Sequence, residues 1–324
     1  MVQIVIETKD IRDVSADVVV LKHAQSFYGA DAVVAATLTQ DPRRTLEITP
    51  APGDYALVDS AHNLAAPHVL FVGVSPLSHF EYQEIRAFAN RTIEIIAREL
   101  PATEHLAMTM HGVGYGLDER EAFLSQIAGL WEAASRLPAL RKVTIAERNQ
   151  ARARRLQALL ESAIRSVRAA KPAPGTRAPI EAGSPPPESI DAGKASRGKP
   201  HIFVAMPFAK ELEDTYVFGI QGPANTAGFL CERVDMVTFT GDILERIKNR
   251  IQTAALVIAE LTGANANVYL EVGYAWGLNR PVLLIIRQGE ELKFDVKGQR
   301  CIIYENIVDL ARRLQRDLAD IAAT

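Results

Sequence analysis

A single carboxylate, Glu271, follows a buried strand and a polar loop in the second half of the chain. Residues 255–275 have the pattern of a buried strand, a polar loop and a helix that starts at Val268. In an open parallel α/β sheet, ligands bind in the crevice outside the carboxyl ends of the strands. Helix N-termini also favour anions. The pattern therefore predicts that Glu271, in the first helical turn, lies in a crevice suited to a phosphate or a ribose.

Other polar and aromatic residues are expected at the same edge of the sheet. The candidate substrate-binding residues are Met206, Pro207, Phe208, Arg233, Asp235, Asn265, Asn267 and Tyr269. Each also has a simpler structural interpretation. Asn267 is a good N-cap, which would leave Glu271 as a partner of the helix dipole. Asn265 suits a turn, Arg233 and Asp235 can pair on the surface, and Tyr269 can simply pack.

The last part of the chain, residues 202–324, lacks histidine, which limits the catalytic chemistry that is possible at this crevice. No histidine follows His201, which argues against Ser-His-Asp and Cys-His catalysis and against a His-ligated metal. No dinucleotide-binding or P-loop pattern occurs, so no bound cofactor is predicted. One carboxylate beside a sugar carbon can act as a nucleophile or stabilise an oxocarbenium ion. This chemistry is that of N-glycosidic bond cleavage.

Residues 201–324 resemble the nucleoside 2-deoxyribosyltransferase-like family, and more closely its TIR-like bacterial branch. The motifs that carry the resemblance are residues 203–208, 232–235, 258–263, 265–275, Phe294 with Asp295, and Tyr304. The resemblance implies that Glu271 is the catalytic carboxylate, that the Met-Pro-Phe turn lines a nucleotide pocket, and that the Asn-x-Asn segment neighbours the glutamate. The chain departs from the family at Glu260, where aspartate is usual, and Glu260 is given no role.

Composition predicts a cytoplasmic protein with two domains. The chain has 324 residues, a net charge of −3 and two cysteines, and it contains no apolar run long enough to span a bilayer. Residues 1–200 carry 23 basic and 23 acidic side chains, and residues 201–324 carry 13 and 16. Neither half is a polybasic nucleic-acid or membrane binder.

The predicted boundaries follow the composition. Residues 1–170 alternate strands and helices, which predicts a three-layer α/β domain with a mixed sheet and a basic terminal helix. Residues 171–200 hold seven of the 17 prolines and are predicted to be a flexible linker. Residues 201–324 alternate strands with 10–15-residue helices, which predicts a second α/β domain with a parallel sheet. The family resemblance of this domain implies that the sheet is flavodoxin-like.

The first domain is similar, more weakly, to the macro-like N-terminal domain of leucine aminopeptidases. The similarity rests on residues 69–73 and 111–118. It implies an ADP-ribose-like ligand held by a loop containing Gly112, Gly114 and Gly116, which lies between a strand and a helix. The glycine-rich segment expected after the strand at 17–21 is replaced by residues 22–29. A structural or oligomerising role therefore stays open beside ligand binding.

Together these observations predict an N-glycosidase that cleaves the base–ribose bond of a nucleotide, either NAD or a nucleoside monophosphate. A macro-like domain that gates such an enzyme suggests, by analogy, a bacterial antiphage effector that works as a homo-oligomer. The alternatives are a non-catalytic nucleotide sensor, deoxyribosyl transfer, and a scaffold whose two domains serve assembly.

Overall fold

The chain folds into two compact units. The computed structural model describes residues 2–39, 47–169, 190–207, 209–234, 241–293 and 299–322. The first unit comprises Met1–Gly112 and Arg120–Arg197, and the second comprises Val113–Glu119 and Gly198–Thr324. The second unit therefore includes a short segment that lies, in sequence, inside the predicted first domain.

The first unit contains a six-stranded mixed sheet. Its strands are β1 (Gln3–Glu7), β2 (Val18–His23), β3 (Tyr55–Asp59), β4 (His68–Gly73), β5 (His105–Thr109) and β6 (Lys142–Ala146), and the order is β1-β6-β5-β2-β4-β3. All neighbours are parallel except β3, which runs antiparallel to β4. Every residue of β2 is buried, as expected for a central strand covered on both faces. The predicted mixed α/β fold is confirmed.

Four α-helices within the described residues accompany this sheet. They are α1 (Gly29–Leu38), α2 (Tyr82–Glu99), α3 (Glu119–Ala133) and α4 (Gln150–Ala169). α1 was not predicted from the sequence. It packs Val34 and Leu38 into a core with Val19, Leu21 and Phe71 of the sheet. Its short, alanine-rich sequence lacks the strong polar face that would have marked it as an amphipathic helix.

Part of the segment predicted to be a linker is folded onto the first unit. The Arg86 guanidinium donates to the carbonyls of Ile190 (2.7 Å) and Ala192, and it also forms a two-point ion pair with Glu132. Ser196 donates to Glu121 at 2.6 Å. These bonds satisfy a buried arginine, so residues 190–197 belong to a packed structure. The proline-rich residues 171–189 lie outside the described residues.

The second unit contains a five-stranded parallel sheet. Its strands are β7 (His201–Ala205), β8 (Leu230–Glu232), β9 (Leu256–Glu260), β10 (Val282–Arg287) and β11 (Cys301–Tyr304), in the order β11-β10-β9-β7-β8. Taken in chain order this is the 2-1-3-4-5 arrangement of flavodoxin-like folds. The predicted flavodoxin-like parallel sheet is confirmed.

Helices cover both faces of this sheet. They are a π-helix (Thr215–Gln221) that continues into α5 (Gly222–Thr226), then α6 (Gly241–Thr253), α7 (Ala266–Gly277) and α8 (Ile307–Ala322). The π-helix, α5 and α8 pack on one face, and α6 and α7 pack on the other. None of the helices in the described part of the chain has the length and apolar character that crossing a membrane requires.

Candidate functional site

The strand order places the topological switch point of the second unit at the carboxyl ends of β7 and β9. The chain leaves β7 toward one face of the sheet to reach β8, and it leaves the neighbouring strand β9 toward the other face to reach β10. This reversal is the topological switch point at which open α/β sheets bind ligands. Met206 and Pro207 follow β7, and residues 261–265 follow β9, so both predicted segments border the switch point.

The start of α7 differs from the prediction. The Asn265 side chain accepts a hydrogen bond from the Asn267 amide at 2.9 Å, so Asn265, not Asn267, is the N-cap. Gly263 and Ala264 have φ values of 76° and 50°, and this left-handed turn brings Asn265 into the cap position. The helix therefore begins at Ala266, two residues earlier than predicted.

This shift moves Glu271 into the second turn of α7, and the prediction of a first-turn position was wrong. The first turn contains no acidic residue. Because the effect of the helix dipole fades beyond the first turn, pairing with the dipole does not account for Glu271. Asn265 takes the structural role of the cap, while Asn267 is exposed beside it.

Glu271 is a partly buried carboxyl without a compensating partner in the described structure. Val268, Val272 and Ala275, on the same side of α7, pack into the core. Burial alone raises the pKa of Glu271 from 4.5 to about 7. No hydrogen bond or ion pair reaches this carboxyl from any described residue. Unpaired carboxyls with strongly raised pKa values are characteristic of functional clefts.

Glu260 is a second buried carboxyl, but its surroundings are different. At the end of β9, its Oε1 accepts from the Thr262 amide (2.9 Å) and its Oε2 accepts from the Tyr304 hydroxyl (2.8 Å). Burial raises the pKa of Glu260, and burial beside Glu260 raises the pKa of Tyr304 to about 12. Tyr304 belongs to the core on the face opposite α7. Glu260 thus joins the β9 turn to β11.

Replacing Tyr304 with phenylalanine is expected to destabilise the protein by about 1–3 kcal/mol, because the buried Glu260 carboxyl loses a hydrogen-bond donor. Chemical denaturation of both proteins measures the difference. Tyr274→Phe is the matched control, since Tyr274 is half-buried and donates no hydrogen bond to a described residue. Its change is expected to stay within about 0.5 kcal/mol. Equal losses in the two variants would contradict the assigned role of Tyr304.

Arg233 forms a buried cluster with residues that follow β7. Its guanidinium pairs with Glu213 at 2.9 Å, stacks 3.8 Å above the Tyr216 ring, and lies 3.4 Å from the Met206 sulfur. Tyr216 is itself held by donation from its hydroxyl to the Cys231 carbonyl at 3.2 Å. Arg233 is therefore an internal residue whose partner, Glu213, was missed by sequence reasoning. Phe208 and Asp235 lie outside the described residues.

The glycine-rich segment predicted to hold a ligand of the first domain is divided between the two units. Gly112, Gly114 and Gly116 all have positive φ values, near 86°, 81° and 87°. Gly112 belongs to the first unit, whereas Gly114 and Gly116 belong to the second. The Gly116 amide donates to the Arg233 carbonyl at 3.2 Å, so in this structure it is not a phosphate donor.

The end of β2 is the other place at which the macro-like resemblance implies a ligand of the first unit. Lys22 forms a buried ion pair with Asp31, in the first turn of α1. His23 bonds through Nδ1 to the Pro50 carbonyl at 3.0 Å. Burial lowers the pKa of nearby His111 well below its ordinary value. Lys22 and Asp31 are engaged with one another, whereas the buried Asp31 Oδ1 and His111 Nε2 have no hydrogen-bond partner among the described residues. An ADP-ribose-like ligand stays a prediction.

Comparisons with known proteins give partial similarities. No model of a known protein family matches the chain, and no curated protein matches it. The structure of the CMP N-glycosidase BcmB of Clostridium botulinum is 18% identical, with a TM-score of 0.31, and the match covers 36% of this chain and 98% of that one. The Trypanosoma brucei macrodomain in complex with ADP-ribose is 14% identical, with a TM-score of 0.40 and coverage of 48% and 68%. The Oceanobacillus iheyensis macrodomain with ADP is also 14% identical, with a TM-score of 0.40 and coverage of 49% and 90%.

Proposed function

We propose that the second unit cleaves the N-glycosidic bond between base and ribose in a nucleotide, with NAD or a nucleoside monophosphate as substrate. The observation that carries this proposal is Glu271. It is a partly buried carboxyl on the helix beside the switch-point crevice, with no neutralising partner among the described residues and a pKa raised to about 7. A structural carboxylate is normally paired, as Glu260 is.

The ionised Glu271 carboxylate would act on the anomeric carbon of the ribose. As the bond from C1′ to the base nitrogen breaks, its electron pair leaves with the base and positive charge develops on the sugar ring. The carboxylate either bonds to C1′, and water then displaces it, or stabilises the cation until water adds. The proton that water loses is released when NAD is cleaved, because nicotinamide leaves as a neutral molecule, and it neutralises the departing base when a nucleoside monophosphate is cleaved. Low solvent exposure strengthens this electrostatic interaction. Acceptance of the sugar by a second free base instead of water would be deoxyribosyl or ribosyl transfer.

The remaining predicted residues have supporting roles in this proposal. Asn267 is exposed at the start of α7 and is proposed to contact the ribose, and Tyr269 and Asn265 shape the same helix end. The turn of Met206, Pro207 and Phe208 would line the pocket for the nucleotide. Arg233 is proposed to contact the phosphate of the nucleotide, and Asp235 is proposed to bind the substrate as well.

The first unit is proposed to bind an ADP-ribose-like ligand and to gate the enzyme, as an antiphage effector would require.

Release of free base from NAD and from the four common nucleoside monophosphates, measured by chromatography of the products, tests the proposed glycosidase activity of the second unit. The assay is run with and without added ADP-ribose, so that an idle enzyme is detected. Base release by the wild-type protein that disappears in Glu271→Gln supports the glycosidase. Nucleotide binding by calorimetry without base release in either protein would instead establish a sensor module, and absence of both would exclude the proposal.

A further inference from the structure

The segment Val113–Glu119 runs alongside residues 231–234, at the carboxyl end of β8. Residue 118 lies opposite 231, residue 116 opposite 233, and residue 115 opposite 234, as in an antiparallel strand pair. The contacts are Cys231 N to Asp118 Oδ2 (3.0 Å), Gly116 N to Arg233 O (3.2 Å), and an antiparallel bridge between Tyr115 and Val234. β8 is the last strand of the five-stranded sheet, so the segment covers its edge.

Asp118 fixes one end of this pairing. It is 1% exposed, and its Oδ2 accepts both from the Cys231 amide and from the Asn225 side chain at 2.8 Å. Asn225 also donates to the Phe229 carbonyl at 3.1 Å. A buried carboxylate that accepts from a backbone amide forms a charge-assisted bond, stronger than a neutral one. Asp118 thereby ties the end of α5 to the start of β8.

Gly116 fixes the other end. A side chain at this position would place its Cβ 3.1 Å from a Val234 methyl group and 3.3 Å from the Arg246 Nε, and the φ of +87° disfavours any residue with a Cβ. Arg246 of α6 donates to the neighbouring Tyr115 carbonyl at 2.7 Å. The segment is thus held against the carboxyl end of β8 from two sides.

Arg233 lies at the second of these two fixed points. Its carbonyl accepts from Gly116, and its side chain contacts Glu213, Tyr216 and Met206, of which Met206 directly follows β7 at the switch point. We propose that Asp118 and Gly116 are positioning residues, which hold the backbone at Arg233 so that its guanidinium faces the phosphate side of the pocket. This inference rests on the proposed function. It gives the glycine-rich segment a role in the second unit in place of a phosphate loop in the first.

The test uses the full-length chain with Asp118→Asn and Gly116→Ala. Gly228→Ala is the matched control, because Gly228 also has a positive φ, of +88°, but a Cβ there would meet nothing within 4 Å. Steady-state base release is measured for the nucleotide that the wild-type protein cleaves best. We expect KM to rise roughly fivefold or more in both test variants, since the loss of one hydrogen bond corresponds to about a fivefold change. Their kcat, and both kcat and KM of Gly228→Ala, should change by less than about twofold.

Hydrogen exchange of the peptide covering residues 229–234 provides a readout that does not depend on catalysis. Faster exchange there together with raised KM supports the inference. Faster exchange with unchanged KM would show that the segment is only structural, and this result would overturn the inference. Exchange and KM that both equal the wild-type values would overturn it too. These outcomes differ from a failure of the proposed function, in which the wild-type protein itself neither releases base nor binds the nucleotides; that failure would remove the basis of the inference too.

Discussion

Replacing Glu271 with glutamine is expected to lower the rate of base release by at least about a thousandfold, because the neutral amide can neither bond to C1′ nor stabilise the glycosyl cation. The substitution preserves side-chain volume, so nucleotide affinity should change little. The measurement is single-turnover base release at saturating nucleotide. Glu245→Gln is the control, since Glu245 is exposed on α6 of the same unit. Retention of more than a tenth of the wild-type rate by Glu271→Gln would contradict the catalytic role.

The pH dependence of the wild-type enzyme should report the same group. Glu271 must be ionised to act, and burial raises its pKa to about 7. The rate is therefore expected to be level above pH 8 and to fall about tenfold per unit below pH 7, reaching roughly one hundredth at pH 5. A carboxylate with the ordinary pKa of 4.5 would keep the rate nearly constant over this range. A flat profile between pH 5 and 8 would exclude Glu271 as the ionising group.

Stability should change in the direction opposite to activity. Because the pKa of Glu271 is raised in the folded state, folding favours the protonated carboxyl. This contribution is fully present below pH 4.5 and is lost as the pH rises through about 7. Glu271→Gln removes the charge, so the variant should be about 1–3 kcal/mol more stable than wild type at pH 8 and nearly equal to it at pH 5. A structural glutamate would show the opposite, a loss of stability on substitution.

The features that the sequence predicted well are those with local causes. The sequence predicts strands over residues 142–146, 256–260 and 301–304, and β6, β9 and β11 have these bounds. Each is a short run of residues that must be buried on one or both faces. The parallel sheet of the second unit follows from alternating strands and helices with right-handed crossovers. The edge of the sheet, and hence the neighbourhood of Glu271, could be located on these grounds.

The features that were missed depend on partners distant in sequence or on a choice between similar residues. Asn265 and Asn267 are equally good caps, and only the preceding left-handed turn decides between them. The pairing of residues 115–118 with β8 joins positions more than 100 residues apart, and a Gly-x-Gly-x-Gly pattern carries no sign of it. Residues 190–197 have the composition of a linker, yet they are fixed by Arg86.

Gly129→Ala is expected to destabilise the first unit by roughly 3 kcal/mol or more, although alanine is the better helix former. In the middle of α3, a Cβ at Gly129 would lie 2.2 Å from the Arg86 carbonyl oxygen and 2.9 Å from the Ala89 Cβ, both on α2. The contact is with the backbone of a helix whose arginine also anchors residues 190–192, so neither helix can yield without disturbing that anchor. Thermal unfolding should show a midpoint lowered by about 6–12 °C.

Gly273→Ala in α7 separates this packing effect from helix propensity. Gly273 is also inside a helix, but it is exposed and a Cβ there would meet nothing within 4 Å. The same substitution should therefore stabilise the protein by up to about 1 kcal/mol, through the lower backbone entropy of alanine in the unfolded chain. Opposite signs at the two glycines would show that the close approach of α2 and α3, which no local sequence pattern reveals, requires glycine at position 129. If both variants were stabilised, α3 could not lie as close to Arg86 as the structure has it.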